Sequence, residues 1–405
     1  KGLSSVRQIK IVGAGVTGLT LAYFFVKRGW KVKIIEKTSE VGGLIHTRKS
    51  VHGLAETAAN GVFNSQLFQD IAAEIGVELL ATKSEAKKRF LYRDHPQRWP
   101  FSFRESFRLV CLVLRMVFVK ASLRPESRDS VRSWGTRHLG SVLSRFSIET
   151  FLQGVYAGDP AQMSAEMILQ KVFAPKQRQH WDGYRRGTLA PREGMGQFID
   201  RLYQWLVAQG VGFEFEQDFV LTSTPIRDNG DASGDNVGTR ATLNEPVILA
   251  TPGHVAREIL ESSNDPRLLA RAQGLAAVHP LALVTVTVFW PEHRSRYSGF
   301  GCLFPPGFSR PVLGILMNSL IFENRSHACA SETYILGGAL HAGVVEWTDA
   351  EILNLVVSMK NDFEGFAGSE RMAPLASEVT RWPRAFPHYT VELNTALKEL
   401  ERHGQ

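Results

Sequence analysis

The stretch Ile9–Gly18, IKIVGAGVTG, decides the fold of this 405-residue chain. A β-prone run leads into a G-x-G-x-x-G turn and then into an apolar helix predicted over Leu19–Arg28. In such a turn Gly13 permits the tight bend, Gly15 lets a pyrophosphate approach the backbone, and Gly18 allows the helix to pack closely on the strand. The free N–H groups and the dipole of the helix N-terminus favour the phosphates. The stretch therefore predicts a dinucleotide-binding βαβ unit.

An acidic residue at the end of the next predicted strand, Lys31–Ile35, indicates which dinucleotide binds. Glu36 lies 18 residues after Gly18, close to the spacing of about 20 at which a carboxylate accepts the ribose hydroxyls. It would repel a 2′-phosphate, which argues against NADP and leaves NAD and FAD. The glycine pair in Val41–Thr47, VGGLIHT, favours FAD because it lets the chain turn back against the cofactor. An ordinary turn is the alternative for that pair.

The composition is that of a globular protein with two or three domains. Hydrophobic residues make up 44% and charged residues 21% of the chain. The cysteines, Cys111, Cys302 and Cys329, are far apart, which argues against a disulfide framework or a zinc site and fits a reducing compartment. The 12 histidines lack metal-ligand spacing, so we predict no metal. We find no nucleophile elbow and no P-loop, and we expect no signal peptide.

Positive charge is concentrated in one segment. Between residues 87 and 124 ten lysines and arginines accompany two acidic residues, whereas the rest of the chain is close to neutral within a net charge of +7. Such a segment suits an anionic membrane surface or an acidic small molecule. No nucleic-acid motif accompanies it, so we predict no nucleic-acid partner.

Within this segment the run Leu109–Val119 is apolar except for Arg115. Its 11 residues are too few to span a bilayer, which takes about 20. Two interpretations stay open. The run is either a buried helix of a helical domain or a monotopic membrane contact in which arginines hold anionic headgroups.

The order of predicted elements gives an α/β protein with a discontinuous organisation. Residues 1–85, 186–275 and 376–405 are assigned to a Rossmann-like FAD-binding domain, 86–185 to a helical insertion that is a candidate membrane-binding element, and 276–375 to a strand-rich substrate domain. Predicted helices are Leu67–Ile75, Gln197–Gln209, residues 349–366 and Leu393–Arg402; predicted strands are Gly212–Glu216, Pro246–Ala250, Leu283–Trp290 and Val312–Met317, with a hairpin-like region at Asp228–Gly238.

Several stretches along the chain carry a family resemblance. The glycine pair, its N-terminal position and Glu56–Gly61 are similar to the flavin amine oxidase superfamily. Four further stretches resemble the protoporphyrinogen/coproporphyrinogen oxidases more than other flavin oxidases: Lys88–Tyr92 with Trp99-Pro100, Gly154–Pro160 with Met163-Ser164, Gly299–Pro305 with Val312–Leu316, and Arg381–Thr390. Together they cover nearly the whole chain.

The resemblance implies a set of binding residues. Those expected to line FAD are Gly13, Ala14, Gly15, Val16, Thr17, Gly18, Glu36, Lys37, Gly43, Leu44, Ala58, Ala59, Asn60, Gly61 and, through its backbone, Val220. Those expected to hold a tetrapyrrole are Arg89 on a propionate, Gly154 with its backbone facing the ring, and the apolar Phe300, Leu303 and Leu316. A solvated arginine, an ordinary turn and plain strand core are the respective alternatives.

The activity implied by the resemblance is FAD-dependent oxidation of protoporphyrinogen IX or coproporphyrinogen III to the porphyrin in haem biosynthesis. Hydride would pass to flavin N5, oxygen would be the acceptor, and no catalytic base is assigned. Two alternatives remain: another FAD-dependent amine oxidase or desaturase acting on a hydrophobic substrate, or an inactive flavin-binding homologue. We expect a cytoplasmic protein, with peripheral attachment to the inner face of the membrane and a homodimer as further possibilities.

Two departures from the family pattern affect these expectations. Relatives close the flavin site with a glycine-rich strand and helix after the equivalent of Thr390, whereas this sequence runs only to Gln405. We therefore expect the sequence to be a fragment or, if it is complete, to bind FAD weakly. Ala58-Ala59 also replaces the Gly-Pro common in relatives, which would alter the loop near the flavin or mark a subgroup with another substrate.

Overall fold

The strands form five sheets in the part of the chain that the structure, a computed structural model, describes: residues 7–174, 187–222, 239–242, 245–263, 265–291, 295–368 and 371–403. The strands are β1 (Gln8–Val12), β2 (Lys31–Ile35), β3 (Thr47–Ser50), β4 (Gly53–Glu56), β5 (Val62–Phe63), β6 (Leu79–Ala81), β7 (Phe90–Tyr92), β8 (Pro96–Gln97), β9 (Thr188–Pro191), β10 (Gly212–Glu214), β11 (Phe219–Thr222), β12 (Thr239–Thr242), β13 (Val247–Leu249), β14 (Leu283–Pro291), β15 (Gly301–Leu303), β16 (Val312–Leu316), β17 (Cys329–Gly337) and β18 (Ala376–Trp382).

Helices cover the sheets and form a separate helical region. They are α1 (Val16–Lys27), α2 (Gln66–Glu74), α3 (Phe103–Phe118), α4 (Val131–Leu139), α5 (Ser141–Ser144), α6 (Thr150–Tyr156), α7 (Ala165–Phe173), α8 (Met195–Ala208), α9 (Gly253–Glu261), α10 (Pro266–Gly274), α11 (Asn318–Ile321), α12 (Asp349–Glu364) and α13 (Val391–His403). The predicted hairpin at Asp228–Gly238 lies outside the described residues.

A parallel sheet in the order β10-β2-β1-β13 forms the centre of the predicted nucleotide-binding domain. Side chains alternate between its faces, so Ile11 and Ile34 pack against α1, α2 and α8, whereas Val12 and Ile35 pack against β11, β12 and α9. The α/β fold class and its Rossmann-like layers are confirmed. Helix α1 begins at Val16 rather than at the predicted Leu19, since the second half of the glycine motif is its first turn.

Helix α8 begins before the predicted Gln197 because two side chains satisfy its first N–H groups. The carboxylate of Glu56 accepts the Met195 N–H at 2.9 Å, and the Thr47 hydroxyl accepts the Gly196 N–H at 2.8 Å. Thr47 in turn donates to Glu56 at 2.7 Å. Burial raises the pKa of Glu56 above its ordinary value, against the opposing effect of these hydrogen bonds.

The second large sheet has seven strands in the order β18-β14-β17-β16-β15-β7-β8. This sheet extends beyond residues 276–375, which were predicted to form the strand-rich substrate domain. Strands β7 and β8 were assigned to the helical insertion, yet β7 pairs with β15; β18 was assigned to the FAD-binding domain, yet it pairs with β14 along its whole length. The paired residues are about 210 positions apart in β7 and β15 and about 90 apart in β14 and β18, and pairing over such distances leaves no local sequence signal.

The back face of this sheet carries Val284, Val286 and Val288, which pack against α12. Lys360 of that helix is 1% exposed, and its ammonium donates to Glu332 at 2.7 Å and to Glu364 at 3.1 Å. Tyr334 also donates to Glu332, at 2.9 Å. Burial alone would lower the pKa of Lys360, but its attraction to the two carboxylates outweighs burial and raises the pKa above its ordinary value.

Helix α3 contains the apolar run whose interpretation stayed open. Of that run, Leu112 is buried, whereas Val110, Val113, Leu114, Val117 and Val119 are exposed. The interpretation as a buried helix is therefore wrong for most of its length. Among the described residues, no helix is both long enough and apolar enough to cross a bilayer.

We expect Lys360→Met to lower the free energy of unfolding by about 3–5 kcal/mol, because it removes the buried ammonium that is bonded to the carboxylates of Glu332 and Glu364. Urea unfolding at neutral pH measures the change. Lys49→Met is the control, since it removes a cation from an exposed pair with Glu193 and should cost about 1 kcal/mol or less. Equal, small losses for both variants would contradict a coupled buried cluster.

Candidate functional site

The glycines of the motif divide into two that are closed in by backbone and one that faces open space. A Cβ on Gly13 would lie 2.8 Å from the Ala250 carbonyl oxygen, and Gly13 has a φ of +103° that favours glycine. A Cβ on Gly18 would lie 1.9 Å from the Gly13 carbonyl oxygen. No atom comes within 4 Å of a Cβ built on Gly15. The turn is thus packed shut on its strand side and open where a ligand would approach.

The N-terminus of α1 is available to an anion. Gly15 is its N-cap, no side chain caps it, and its first turn carries no acidic residue. Val16 and Thr17 are exposed beside Gly15, whereas Ala14 is buried. The first N–H groups of a helix have no partner within the helix, so these amides can hold a phosphate.

Glu36 is held in place by the turn it faces. One carboxylate oxygen accepts the Ala14 N–H at 2.7 Å, and the other accepts the Thr38 N–H at 2.9 Å. The oxygen that accepts the Thr38 N–H also accepts the Thr38 hydroxyl, at 2.9 Å, whereas the oxygen bonded to Ala14 can accept a further hydrogen bond from a ribose hydroxyl. The Gln217 N–H donates to the Glu36 carbonyl at 3.0 Å, and Lys37 pairs with Asp218 at 3.1 Å. The strand that carries Val220, predicted to contact the adenine end, begins directly after this segment.

The glycine pair lies against the motif. The Gly42 N–H donates to the Ala14 carbonyl at 3.0 Å, and a Cβ on Gly43 would lie 3.4 Å from Gly15 Cα. Gly42 and Gly43 have φ values of +116° and +63°, which explains why both are glycine. Leu44 follows directly and its carbonyl accepts the Thr57 hydroxyl at 2.8 Å.

The Ala58–Gly61 loop lies between the nucleotide-binding domain and the seven-stranded sheet. At one end Thr57 is bonded to both; at the other end a Cβ on Gly61 would meet Leu189 and the Phe322 ring at 3.0 Å. Ala58, Ala59 and Asn60 are partly exposed. Contacts therefore link the predicted FAD-lining segments pairwise: Glu36 to Ala14, Gly43 to Gly15, and Thr57, just before the loop, to Leu44.

The residues predicted to bind substrate come together on the front face of the seven-stranded sheet, the face that carries Thr285 and Thr287. Leu303 opposes Gly314, and Leu316 opposes Thr333, so Leu303 and Leu316 share that face. Gly154 of α6 packs directly on Leu303, because a Cβ there would lie 2.6 Å from a Leu303 methyl. This contact alone accounts for a glycine at position 154.

Arg89 lies at the edge of the same apolar surface. Its guanidinium carbon is 4.8 Å from the centre of the Phe300 ring, a cation–π contact. The Phe300 N–H donates to the Lys88 carbonyl at 2.7 Å, which fixes the two strands side by side. Phe300 and Leu316 both pack against a buried cluster formed by Ala190, Ile321 and Phe322. Arg89 itself is exposed, so its guanidinium can still reach a carboxylate.

Sequence reasoning missed the residues that hold this surface together. Glu56 and Thr57 stood in a quoted stretch but received no role, although both are buried. Thr251, directly after the predicted strand Pro246–Ala250, received no role. Its Cγ2 lies 3.4 Å from the Cβ position of Gly13, and its buried Oγ1 has no hydrogen-bond partner among the described residues. A threonine directly after a parallel strand that neighbours the glycine motif was the signal that could have found it.

The arrangement fits FAD. Gly15 opens a path to the backbone, the α1 N-terminus offers amides, Glu36 offers acceptors, and the Thr251 hydroxyl is a buried group in need of a partner. When FAD binds, these residues would hold its adenosine and pyrophosphate, and the Ala58–Gly61 loop would face its ring.

We expect Gly15→Ala to weaken FAD binding at least tenfold without destabilising the FAD-free protein, since its Cβ enters only the open approach path. Gly18→Ala should instead lower the free energy of unfolding by about 1–3 kcal/mol, since its Cβ overlaps the Gly13 carbonyl. Quenching of FAD fluorescence and urea unfolding measure the two effects. Parental FAD affinity in Gly15→Ala would contradict the assignment.

Comparisons with known proteins agree with this geometry. The sequence profile of the flavin containing amine oxidoreductases matches residues 16–404. The chloroplastic protoporphyrinogen oxidase of Nicotiana tabacum is 24% identical, over 97% of this chain and 79% of that protein. Coproporphyrinogen III oxidase of Bacillus subtilis is 20% identical, over 97% and 90%. A candidate protoporphyrinogen oxidase structure from Exiguobacterium has a TM-score of 0.72 at 18% identity, over 99% of this chain and 91% of the other, and supports the fold. This chain belongs to the flavin containing amine oxidoreductase family and is an FAD-dependent oxidoreductase.

Proposed function

We propose that the protein oxidises a porphyrinogen to the corresponding porphyrin. The observation that carries the proposal is Arg89 above the Phe300 ring, at the edge of the apolar surface formed with Leu303 and Leu316. A porphyrinogen is a large apolar ring with carboxylate arms, and an apolar surface bordered by a fixed cation is the matching site. The names of the two sequence relatives support the same substrate class.

The side chains of the site would bind and orient the substrate. FAD, when bound, supplies the hydride acceptor. Arg89 would pair with a propionate through two parallel hydrogen bonds. Phe300, Leu303 and Leu316 would cover the ring and exclude water from the reacting carbon. No side chain is assigned as acid or base, because the gain of aromaticity drives the oxidation.

Purified, FAD-loaded protein supplied with oxygen and with protoporphyrinogen IX or coproporphyrinogen III in parallel tests the proposal. We expect porphyrin fluorescence to appear with at least one of the two, and their relative kcat/KM to identify the substrate. A yellow protein that produces no fluorescence from either would contradict the proposal and favour a different hydrophobic substrate.

We further propose that α3 contacts an anionic membrane. Phe103, Phe107, Val110, Leu114 and Val117 recur at spacings of three and four residues and are 49–86% exposed, so they form one apolar stripe. Arg104, Arg108 and Arg115 lie along one flank of that stripe. An amphipathic helix of this kind lies in the plane of the membrane interface, with apolar side chains inserted and arginines at the headgroups.

We expect Arg89→Ala to raise KM for the porphyrinogen about 10- to 150-fold, the equivalent of the roughly 1.5–3 kcal/mol of a charged hydrogen bond. Bound FAD should be unchanged, and Arg89→Lys should recover only part of the loss. Arg257→Ala, which removes an exposed arginine of α9, is the control. An unaltered KM in Arg89→Ala would remove this residue from the site.

Replacing Arg104, Arg108 and Arg115 together with glutamine should weaken binding to anionic liposomes by about 100-fold, at roughly 1 kcal/mol for each basic residue. The difference should shrink as salt is added. Co-sedimentation measures it, with Arg201, Arg257 and Arg267 replaced together as a control of equal charge. Unchanged binding would contradict a role of these three arginines at the headgroups of the membrane.

A further inference from the structure

The carbonyl oxygen of Thr57 links the nucleotide-binding domain to the seven-stranded sheet by hydrogen bonds. It accepts the Thr285 hydroxyl at 2.9 Å and the Trp382 indole N–H at 2.9 Å. Thr57 is 3% and Thr285 7% exposed. A carbonyl oxygen has two lone pairs, and here each has a donor from a different strand of the sheet. Loss of either donor would leave a buried acceptor only half satisfied.

The side chain of Thr57 faces the other way and binds the segment after the glycine pair. Its hydroxyl accepts the His46 N–H at 3.0 Å and donates to the Leu44 carbonyl at 2.8 Å. The Thr57 N–H also donates to the His46 carbonyl, at 3.0 Å. One residue therefore fixes the Leu44 segment, the start of the Ala58–Gly61 loop and the sheet relative to one another.

The two donors come from rigid positions. Strand β14 lies between β17 and β18 and is paired with both along its length, so Thr285 cannot shift alone. Thr285 also stands in one row across the sheet with Ile335, Gly314 and Leu303, each opposed to the next. The residue that holds the loop and the residue proposed to cover the substrate are thus set by the same strand register.

We propose that Thr285 and Trp382 are positioning residues: through the Thr57 carbonyl they set the height of the Ala58–Gly61 loop above the sheet. If the proposed function is correct, the two donors thereby set the distance between a flavin ring beside that loop and a substrate lying on Leu303. Trp382 belongs to the Arg381–Thr390 stretch, which had no assigned role in binding or catalysis. A displacement of about 1 Å at such a distance can cost two orders of magnitude in rate.

The test compares Thr285→Val, which removes the donor at nearly constant volume, with Thr285→Ser, which keeps it. Thr287→Val is the matched control: Thr287 is equally buried on the same face of β14, but its hydroxyl bonds Thr333 at 2.8 Å and not Thr57. Trp382→Phe removes the second donor. Hydrogen exchange of the His46 and Thr57 amides, which are hydrogen-bonded to Thr57 Oγ1 and to the His46 carbonyl, is measured in FAD-free protein. The visible absorption of bound FAD and the rate of its reduction by porphyrinogen are measured after loading.

We expect Thr285→Val and Trp382→Phe to bind FAD in full, to exchange the His46 and Thr57 amides about tenfold faster, to shift the flavin absorption bands, and to reduce FAD at least tenfold more slowly. Thr285→Ser should restore all three quantities, and Thr287→Val should change none of them beyond its effect on stability. If Thr285→Val does not fold, Trp382→Phe is judged by the same readouts.

Parental exchange and spectra in both donor variants would overturn the inference, as would equal changes in Thr287→Val. Failure of the proposed function gives a different result. A parent protein that oxidises neither porphyrinogen loses the proposed substrate, yet hydrogen exchange and flavin absorption still decide whether the two donors position the loop.

Discussion

The close contact between Gly18 of α1 and the carbonyl of Gly13 is the constraint on which the rest of the structure depends. With no room for a Cβ between them, the helix must start where the strand turns, and its first amides face outward beside Gly15. The Glu36 carboxylate then has the Ala14 N–H to accept, and the Gly42 N–H reaches the Ala14 carbonyl. One backbone contact therefore brings together the amides beside Gly15, the Glu36 carboxylate and the glycine pair, which form the candidate FAD site.

A small number of hydrogen bonds link the candidate FAD site to the seven-stranded sheet. Thr57 links the glycine-pair segment to Thr285 and Trp382, and Glu56, the preceding residue, caps α8. These bonds tie the front face of the sheet, on which Leu303 and Leu316 are partly exposed, to the start of the loop that follows Thr57. The back face is fixed independently by α12 and the buried Lys360 cluster. The proposed cofactor and substrate surfaces are thus separate in sequence and joined at two adjacent residues, Glu56 and Thr57.

Features that are local in sequence could be predicted, and features that depend on distant pairing could not. The turn at Gly13–Gly18, strand β2 and the position of Glu36 follow from residues within one βαβ unit. By contrast, nothing near Thr57 indicates a partner 228 residues away, and nothing near Phe90 indicates pairing with Cys302. The family resemblance supplied Arg89, Gly154 and Leu303, whose proximity periodicity alone would not indicate. The exposure of α3 could not be predicted either, because an apolar run has the same sequence pattern in a buried helix and in a helix at the protein surface.

The central claim is that main-chain amides at the start of α1 and the Glu36 carboxylate hold FAD at this site. A crystal structure of the FAD-loaded protein tests it most directly. The account predicts pyrophosphate oxygens about 3 Å from the amide nitrogens beside Gly15 and ribose hydroxyls at the same distance from Glu36. The claim would be contradicted if the pyrophosphate lay elsewhere, or if side chains filled the space beside Gly15 and no FAD were bound there.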